Sequence, residues 1–578
     1  MIPFRSLAVI ALLMTTAVSC KTPGNGAALR SAAAERTRDE ELVRGYLQKL
    51  ASFGERAVGS EAGRKAAEWL RDEMESIGLE NPHFEEFAFP YNEYRTGKLS
   101  IQGGGLDREL AYDVLEASGG TGGKDLTAEL VWVNIGAPAD LAGKDLSGKI
   151  GVLKRDLNYD RAVQILNLIN AHAAGMLYIS NAPNNLRQLG TVRKTFEATH
   201  SIPAVSIGQE DGEVLVAALD AGKTLRATLR LDVTASTLEH PGHGRNVVGR
   251  ITGEDADKVI IIGAHYDTWK TGAVDNTSGA ASVLAIARRE VERFRASGKK
   301  PRYTLVFTEL DGEENALYGG YDYLRKHYFV PNRETIIAVI NLEMPVGADK
   351  ETQAKYPESA APTWSIAYSQ IKVLNRALKT VNARQAKTVY PVLQGFDNLV
   401  KLAGGTLATD IQPHYRAGIP TICTWTDTPW YHTSLDDLDH IDVEALGRAV
   451  GFFNQLLAEL AAHAPEEFTE TEAGLLKAKI TTVPRRSNAD DLMVDVELTD
   501  AQGRPAADVA LQAEYHVSDY FQAWSDYSGA TRTDASGHAR IVVPAAKVEL
   551  APTGRYLNVT AGNEYPLVEA MAPVEDRR

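Results

Sequence analysis

An apolar run, "VIIIGAH", stops at His265, and Asp267 and Asp275 follow within a few residues. Further on, "YTLVFTELDGEE" presents Glu313 and Glu314 directly after a second apolar run. "TIIAVINLEM" leads into Glu343, and "IPTICTW" runs into a loop that holds His432. Imidazole nitrogens and carboxylate oxygens are the donors a first-row metal such as zinc takes. Each signal is weak alone. With 13 His and 76 acidic residues in 578, a His-x-Asp/Glu triplet arises by chance. "HID" at His440–Asp442 is one, and there Asp442 reads more simply as the N-cap of the following helix. Glu-Glu pairs also occur at Glu40, Glu85 and Glu466. What sets the group apart is that its members follow apolar runs of buried-strand length.

Between those runs lie segments of helical period, "SGAASVLAIARREVERFRAS", "TWSIAYSQIKVLNRALKTV" and "DVEALGRAVGFFNQLLAELAAH". The alternation predicts an α/β fold: an open, twisted, mostly parallel sheet flanked by helices, spanning residues 37–94 and 241–465. Ligands bind such sheets outside the carboxyl ends of the strands, where these polar residues fall. Acids gathered at one point repel unless a cation neutralises them. His265, Asp275, Glu314, Glu343 and His432 are too many ligands for one tetrahedral zinc. A pair of Zn2+ ions sharing a bridging carboxylate suits them, and two metals together polarise a carbonyl and activate a water.

The remaining segments have other textures. Residues 1–20, "MIPFRSLAVIALLMTTAVSC", carry one positive charge and then an apolar stretch too short for a stable anchor. The stretch ends in small residues before Cys20 and resembles a bacterial lipoprotein signal, with lipid on Cys20 as the expected membrane attachment. An ordinary secretory signal with an incidental cysteine is the alternative, and both imply export. Residues 21–36 read as a tether. The pattern "SEAGRKAAEWLRDEMESIGLE" predicts a helix with Ser60 as N-cap and Gly78 as its stop. Residues 95–240 are short strands between glycine turns, and residues 478–578 alternate with period two, predicting an antiparallel Ig-like or related β-sandwich. A formal net charge of −15 with no basic run argues against nucleic acid as a partner.

Taken in order across 246–443, "GAHYDT", "AVDNTSGAA", "DGEENALYGG", "NLEM", "AGIPTICTW" and "WYHTSLDDLDHID" resemble the co-catalytic di-zinc exopeptidases, which include bacterial leucyl aminopeptidases and glutamate carboxypeptidases. The 95–240 segment, through "LSGKIGVLKR" and its strand order, resembles the protease-associated domain often inserted in that family. The resemblance implies that His265 and Glu343 hold one metal, and Glu314 and His432 the other. Asp275 would bridge the two. The family more often has Asp where this chain has Glu343. Asp267 would hold the His265 ring, and Glu313 would be the general base. Tyr431 would either stabilise an oxyanion or pack beneath the loop. Asp410, in "TDIQPHYRAGIP", would line the substrate pocket or simply serve a turn. The expected activity is zinc-dependent exopeptidase hydrolysis of peptides from either end. A glutaminyl cyclase of the related fold and a catalytically inactive binding relative are the alternatives.

Overall fold

The computed structural model describes residues 25–573 apart from 157–158, 160, 193–200, 238, 331–332, 358–364, 386–389, 391, 396–408, 472–475, 484–486, 488, 501, 517–527, 546–555 and 562–567. Residues 1–20, expected to be a lipoprotein-type signal ending in Cys20, lie outside the described residues. Among the described residues no helix is long and apolar enough to cross a membrane.

Helix α1 (Asn25–Ala51) begins inside the stretch expected to be a tether. The physical reason is composition: "AALRSAAAER" is dominated by alanine, the strongest helix former, and contains neither Gly nor Pro. Helix α2 (Glu61–Ile77) starts and stops as its sequence predicts. Ser60 accepts a bond from the Gly63 N–H, and Gly78, at φ 99°, closes the helix in the left-handed region. Its buried face carries Ala66, Leu70, Met74 and Ile77.

The first sheet is built from β1 (Glu80–Phe89), β2 (Gly242–Ile251), β3 (Asp255–His265), β4 (Tyr303–Leu310), β5 (Thr335–Asn341), β6 (Ser365–Tyr368), β7 (Val392–Gly395) and β8 (Thr421–Trp425). Their order is β1-β2-β4-β3-β5-β8-β6-β7. The central strands β4, β3, β5 and β8 run parallel, whereas β1–β2, β2–β4 and β6–β8 pair antiparallel. Helices α1, α2, α3 (Ser278–Ser297), α5 (Lys372–Arg384) and α7 (Val443–Ala461) contribute to one large core against the sheet. Helices α4 (Tyr318–His327) and α6 (Ile411–Arg416) contribute to a second. Covered on both faces, β4 is buried throughout and β3 is buried from Val259 to His265. One expectation is corrected here. "TWSIAYSQIKVLNRALKTV" is not helical throughout: Ser365–Tyr368 is a strand, and the helix begins only at Lys372. A four-residue apolar run fits either period, and tertiary pairing with β8 decides it.

The chain leaves this sheet after β1 and returns through β2. Between them, residues 92–235 form a second eight-stranded sheet, in which Asn92–Gln102 pairs antiparallel with Arg226–Ala235. The C-terminal strands form two antiparallel sheets of three and four strands. Leu492, Val494, Val496 and Leu498 alternate inward along one of them, which is the period-two pattern of a half-buried strand.

Candidate metal centre

The predicted donors arrive at one edge of the first sheet because β3, β4, β5 and β8 all end there. His265 is the last residue of β3, Glu313 and Glu314 follow β4, Glu343 follows β5, and His432 lies beyond β8. Asp275 sits in the turn Ala273–Thr277 that leads into α3.

The donors form two groups whose ligand atoms lie within 4.8 Å of one another: His265, Glu313 and Glu343 in one, and Asp275, Glu314 and His432 in the other. Asp275 reaches both. Its Oδ1 is 3.4 Å from His265 Nε2, and its Oδ2 is 3.0 Å from His432 Nε2. Glu343 Oε1 is 3.5 Å from His265 Nε2, and Glu314 Oε1 is 3.2 Å from His432 Nε2. Glu313 stands within the first group rather than merely beside it.

The donor set fits a metal on its own evidence. The Nε2 atoms of both histidines, Oε1 of Glu314 and Oε2 of Glu343 are buried without a hydrogen-bond partner. Buried polar atoms rarely go unpaired unless something outside the chain satisfies them. The electrostatics agree. Burial would lower His265, but Glu343 and Glu313 outweigh it and push the ring well above its ordinary value. Burial pushes Glu313 well above the carboxylate range, and burial raises Glu314 and Glu343 as well. Burial acts on Asp275 too, yet the two imidazoles beside it hold its carboxyl below the usual range. So much proton-hungry charge in one dry place is what a bound cation relieves.

Supporting contacts explain how the groups hold their directions. His265 Nδ1–H donates to the main-chain carbonyl of Asp267 at 2.9 Å, while the Asp267 carboxylate is 3.5 Å from that nitrogen. Asp267 serves the site with two of its groups. Its carbonyl holds the ring, and its carboxylate accepts the N–H groups of Glu313 and Glu314, each at 3.2 Å. One side chain thereby fixes the turn that presents both glutamates. Tyr431 stacks on His432 with ring centroids 3.7 Å and planes 18° apart, and the Arg155 guanidinium lies 4.9 Å from its ring. Asp410 is buried at the start of α6 with both carboxylate oxygens unpaired, and burial pushes it well above the usual range in the field of His265 and Glu343.

Three further residues support these groups. Asp436 accepts the N–H groups of Val274 and Asp275 at 2.7 and 3.1 Å, and burial pushes it up to about 7. It lies in "HTSLDD", where a run of acids gives no hint which one turns inward. Asn276 ties the Asp275 turn to the Glu343 loop by donating to Leu342 O and accepting from Met344 N. Nearby, a Cβ at Gly279 would fall 2.2 Å from Leu342 O, so only glycine lets α3 approach that loop. Arg56, fully buried, donates to Tyr266 O at 2.7 Å and to Thr277 Oγ1 at 2.6 Å, and burial lowers it to about 10. Nothing in "FGERAVGS" marks that arginine as structural.

A mixed α/β sheet with such donors at its strand ends defines a metallopeptidase of the zinc-exopeptidase type. Residues 246–456 match peptidase family M28, and residues 116–215 match the PA domain. It is similar to aminopeptidase YwaD of Bacillus subtilis (strain 168), 26% identical over 457 residues, covering 77% of this chain and 88% of that protein. It is also similar to a glutamate carboxypeptidase 2 homolog of Caenorhabditis briggsae, 28% identical over 246 residues. There it covers 39% of this chain and spans only 30% of the relative. Among solved structures, an aminopeptidase from Aneurinibacillus sp. strain AM-1 superposes with a TM-score of 0.53 at 25% identity, covering 72% of this chain and 92% of that one.

Proposed function

We propose that this chain is an aminopeptidase that removes N-terminal residues from exported peptides, using two zinc ions held by His265, Asp275, Glu314, Glu343 and His432. The observation that carries the reading is the reach of Asp275 to both histidines, His265 in a group with Glu313 and Glu343 and His432 in a group with Glu314. The zinc pair, when bound, supplies Lewis acidity that polarises the scissile carbonyl and eases deprotonation of the attacking water. Glu313 takes the proton from that water and passes it to the departing amine. Asp267 keeps Glu313 and Glu314 in register through their main-chain N–H groups. The buried surroundings exclude bulk water and strengthen these interactions.

Attack at the amino end is supported by the extended similarity to YwaD, which spans the PA domain and the catalytic region alike. Purified, zinc-loaded protein offered aminoacyl reporters and dipeptides should release the N-terminal residue, and N-acetylation should block release. Hydrolysis of N-acetylated dipeptides would assign a carboxypeptidase instead. The chain is further proposed to reach the outer side of a membrane through lipid on Cys20, with peptides as its partners. Cys20→Ser should move it from the membrane fraction to the soluble one at unchanged specific activity, and a wild-type protein found wholly soluble would reject the anchor.

A further inference from the structure

The two histidines at the centre are held by different parts of the chain. Both carry a hydrogen on Nδ1, because each Nδ1 faces a carbonyl oxygen that can only accept. For His265 that carbonyl belongs to Asp267, two residues away. For His432 it belongs to Leu189 of the inserted PA domain, at 3.1 Å. The same residue bonds a second time, its N–H donating to the His432 carbonyl at 3.0 Å. Its neighbour Gln188 donates from Nε2 to the Tyr431 carbonyl at 3.2 Å and accepts the Asn181 N–H at 3.3 Å, tying the clamp back to the insert. Gln188 and Leu189 are both buried. Their path depends on Gly190, at φ 145°, where a Cβ would fall 2.3 Å from the Arg161 guanidinium.

His432 needs such help. It adopts φ 59°, a left-handed conformation that a residue with a side chain holds only when its surroundings impose it. It also lies in a loop, with no ladder of strand hydrogen bonds to fix it. Directed by the Leu189 carbonyl, its free Nε2 points at Asp275 and Glu314. The insert and catalytic region also meet at a cavity of about 30 Å³ lined by Tyr91, Glu116, Trp269, Glu314 and Asn315.

We propose that the inserted PA domain is a working part of the second metal position: Gln188 and Leu189 fix the tautomer and direction of His432, and this position reaches full affinity only with that segment seated. The proposal rests on the two-zinc reading above. Removing the hydrogen-bond partner of a metal-ligating histidine typically weakens the metal by about 10- to 100-fold. Gln188 and Leu189 are positioning residues, so metal affinity is the readout that distinguishes them from ordinary packing.

The test titrates zinc into full-length, metal-free protein against a chromophoric chelator, with a 15N-histidine spectrum of the loaded form. Three variants divide the possibilities. Leu189→Pro removes the N–H that holds the His432 carbonyl. Gln188→Ala removes the bond to Tyr431 and leaves the main chain intact. Leu189→Met keeps every main-chain bond. Leu189→Pro keeps the carbonyl that faces His432 Nδ1 but loosens its seat, so the expected result is a second zinc weakened by up to about 10-fold in Leu189→Pro and less in Gln188→Ala. The first zinc should be unchanged, Leu189→Met should behave as wild type, and the Nδ1 proton of His432 should exchange faster in the two weakened variants. Should Leu189→Pro fail to fold, Gln188→Ala decides by the same two readouts. Wild-type zinc affinities and exchange in Gln188→Ala and Leu189→Pro would overturn the proposal, as would equal weakening of both zinc ions in all three variants. The reading beneath it has its own control: His432→Ala that leaves both zinc affinities untouched would reject the metal site itself.

Discussion

His265 closes a buried parallel strand and takes its support from a carbonyl two residues on, whereas His432 sits in a left-handed loop conformation and takes its support from another domain. The two do the same chemical work at one sheet edge. The sheet preorganises the first position almost for nothing, since strand pairing on both sides of β3 already fixes the direction of His265. The second position must import its rigidity. A site shared between a strand end and a loop therefore has a stiff half and a half open to outside control, and Asp275 couples them.

Glu313 and Glu314 sharpen that comparison most, because neighbouring residues fall in different groups. Glu313→Gln keeps shape and hydrogen bonding but cannot accept a proton. Turnover should fall by about 10²- to 10⁴-fold with both zinc ions retained and KM little changed. Glu314→Gln should instead weaken the second zinc, seen as lower occupancy after dialysis. If Glu313→Gln loses metal while Glu314→Gln keeps it, the two roles are exchanged.

A smaller effect tests the coupling. Asp436 holds the turn that presents Asp275 through two main-chain N–H groups. Asp436→Ala should weaken both zinc ions, by about 10-fold or more, in contrast to the insert variants, which should touch only one. Loss confined to one ion would mean that Asp275 does not bridge.

The donors themselves were legible in the sequence because each follows an apolar run long enough to be a buried strand, and a sheet brings its strand ends to one edge. The supports were not. Arg56 and Asp436 are ordinary charged residues in polar loops, and only the folded chain shows which polar loop residue turns inward. Asp267 was legible as the support of His265, but not the main-chain carbonyl that makes the contact, since sequence names the side chain and not the carbonyl behind it. The contact between Leu189 and His432 joins residues 243 apart and involves only main chain on the Leu189 side, so no side-chain pattern could announce it. Ser365–Tyr368 was misread because four apolar and small residues carry no period of their own.

The smallest expected effect serves as a control that should spare both positions. Glu290, in the later half of α3, is buried, and burial pushes it up to about 7 from an ordinary 4.5. Its folded form prefers the proton, so ionisation costs the folded state stability as pH rises through that window, and the full cost is present above it. Glu290→Gln should therefore stabilise the protein by on the order of 1–3 kcal/mol at about pH 8, less whatever its pairing with Arg293 contributes. The gain should fade below about pH 4.5. Thermal melts at the two pH values read this out, and a gain that grows toward acid would contradict the sign.

The most direct test of the two-position account is the zinc content of the purified protein at saturation, read by elemental analysis alongside chelator competition. The account predicts about two zinc ions per chain, removable by chelation with loss of peptidase activity and restored together with it. A single zinc at saturation would contradict the shared role of Asp275 and favour cyclase chemistry on the related fold.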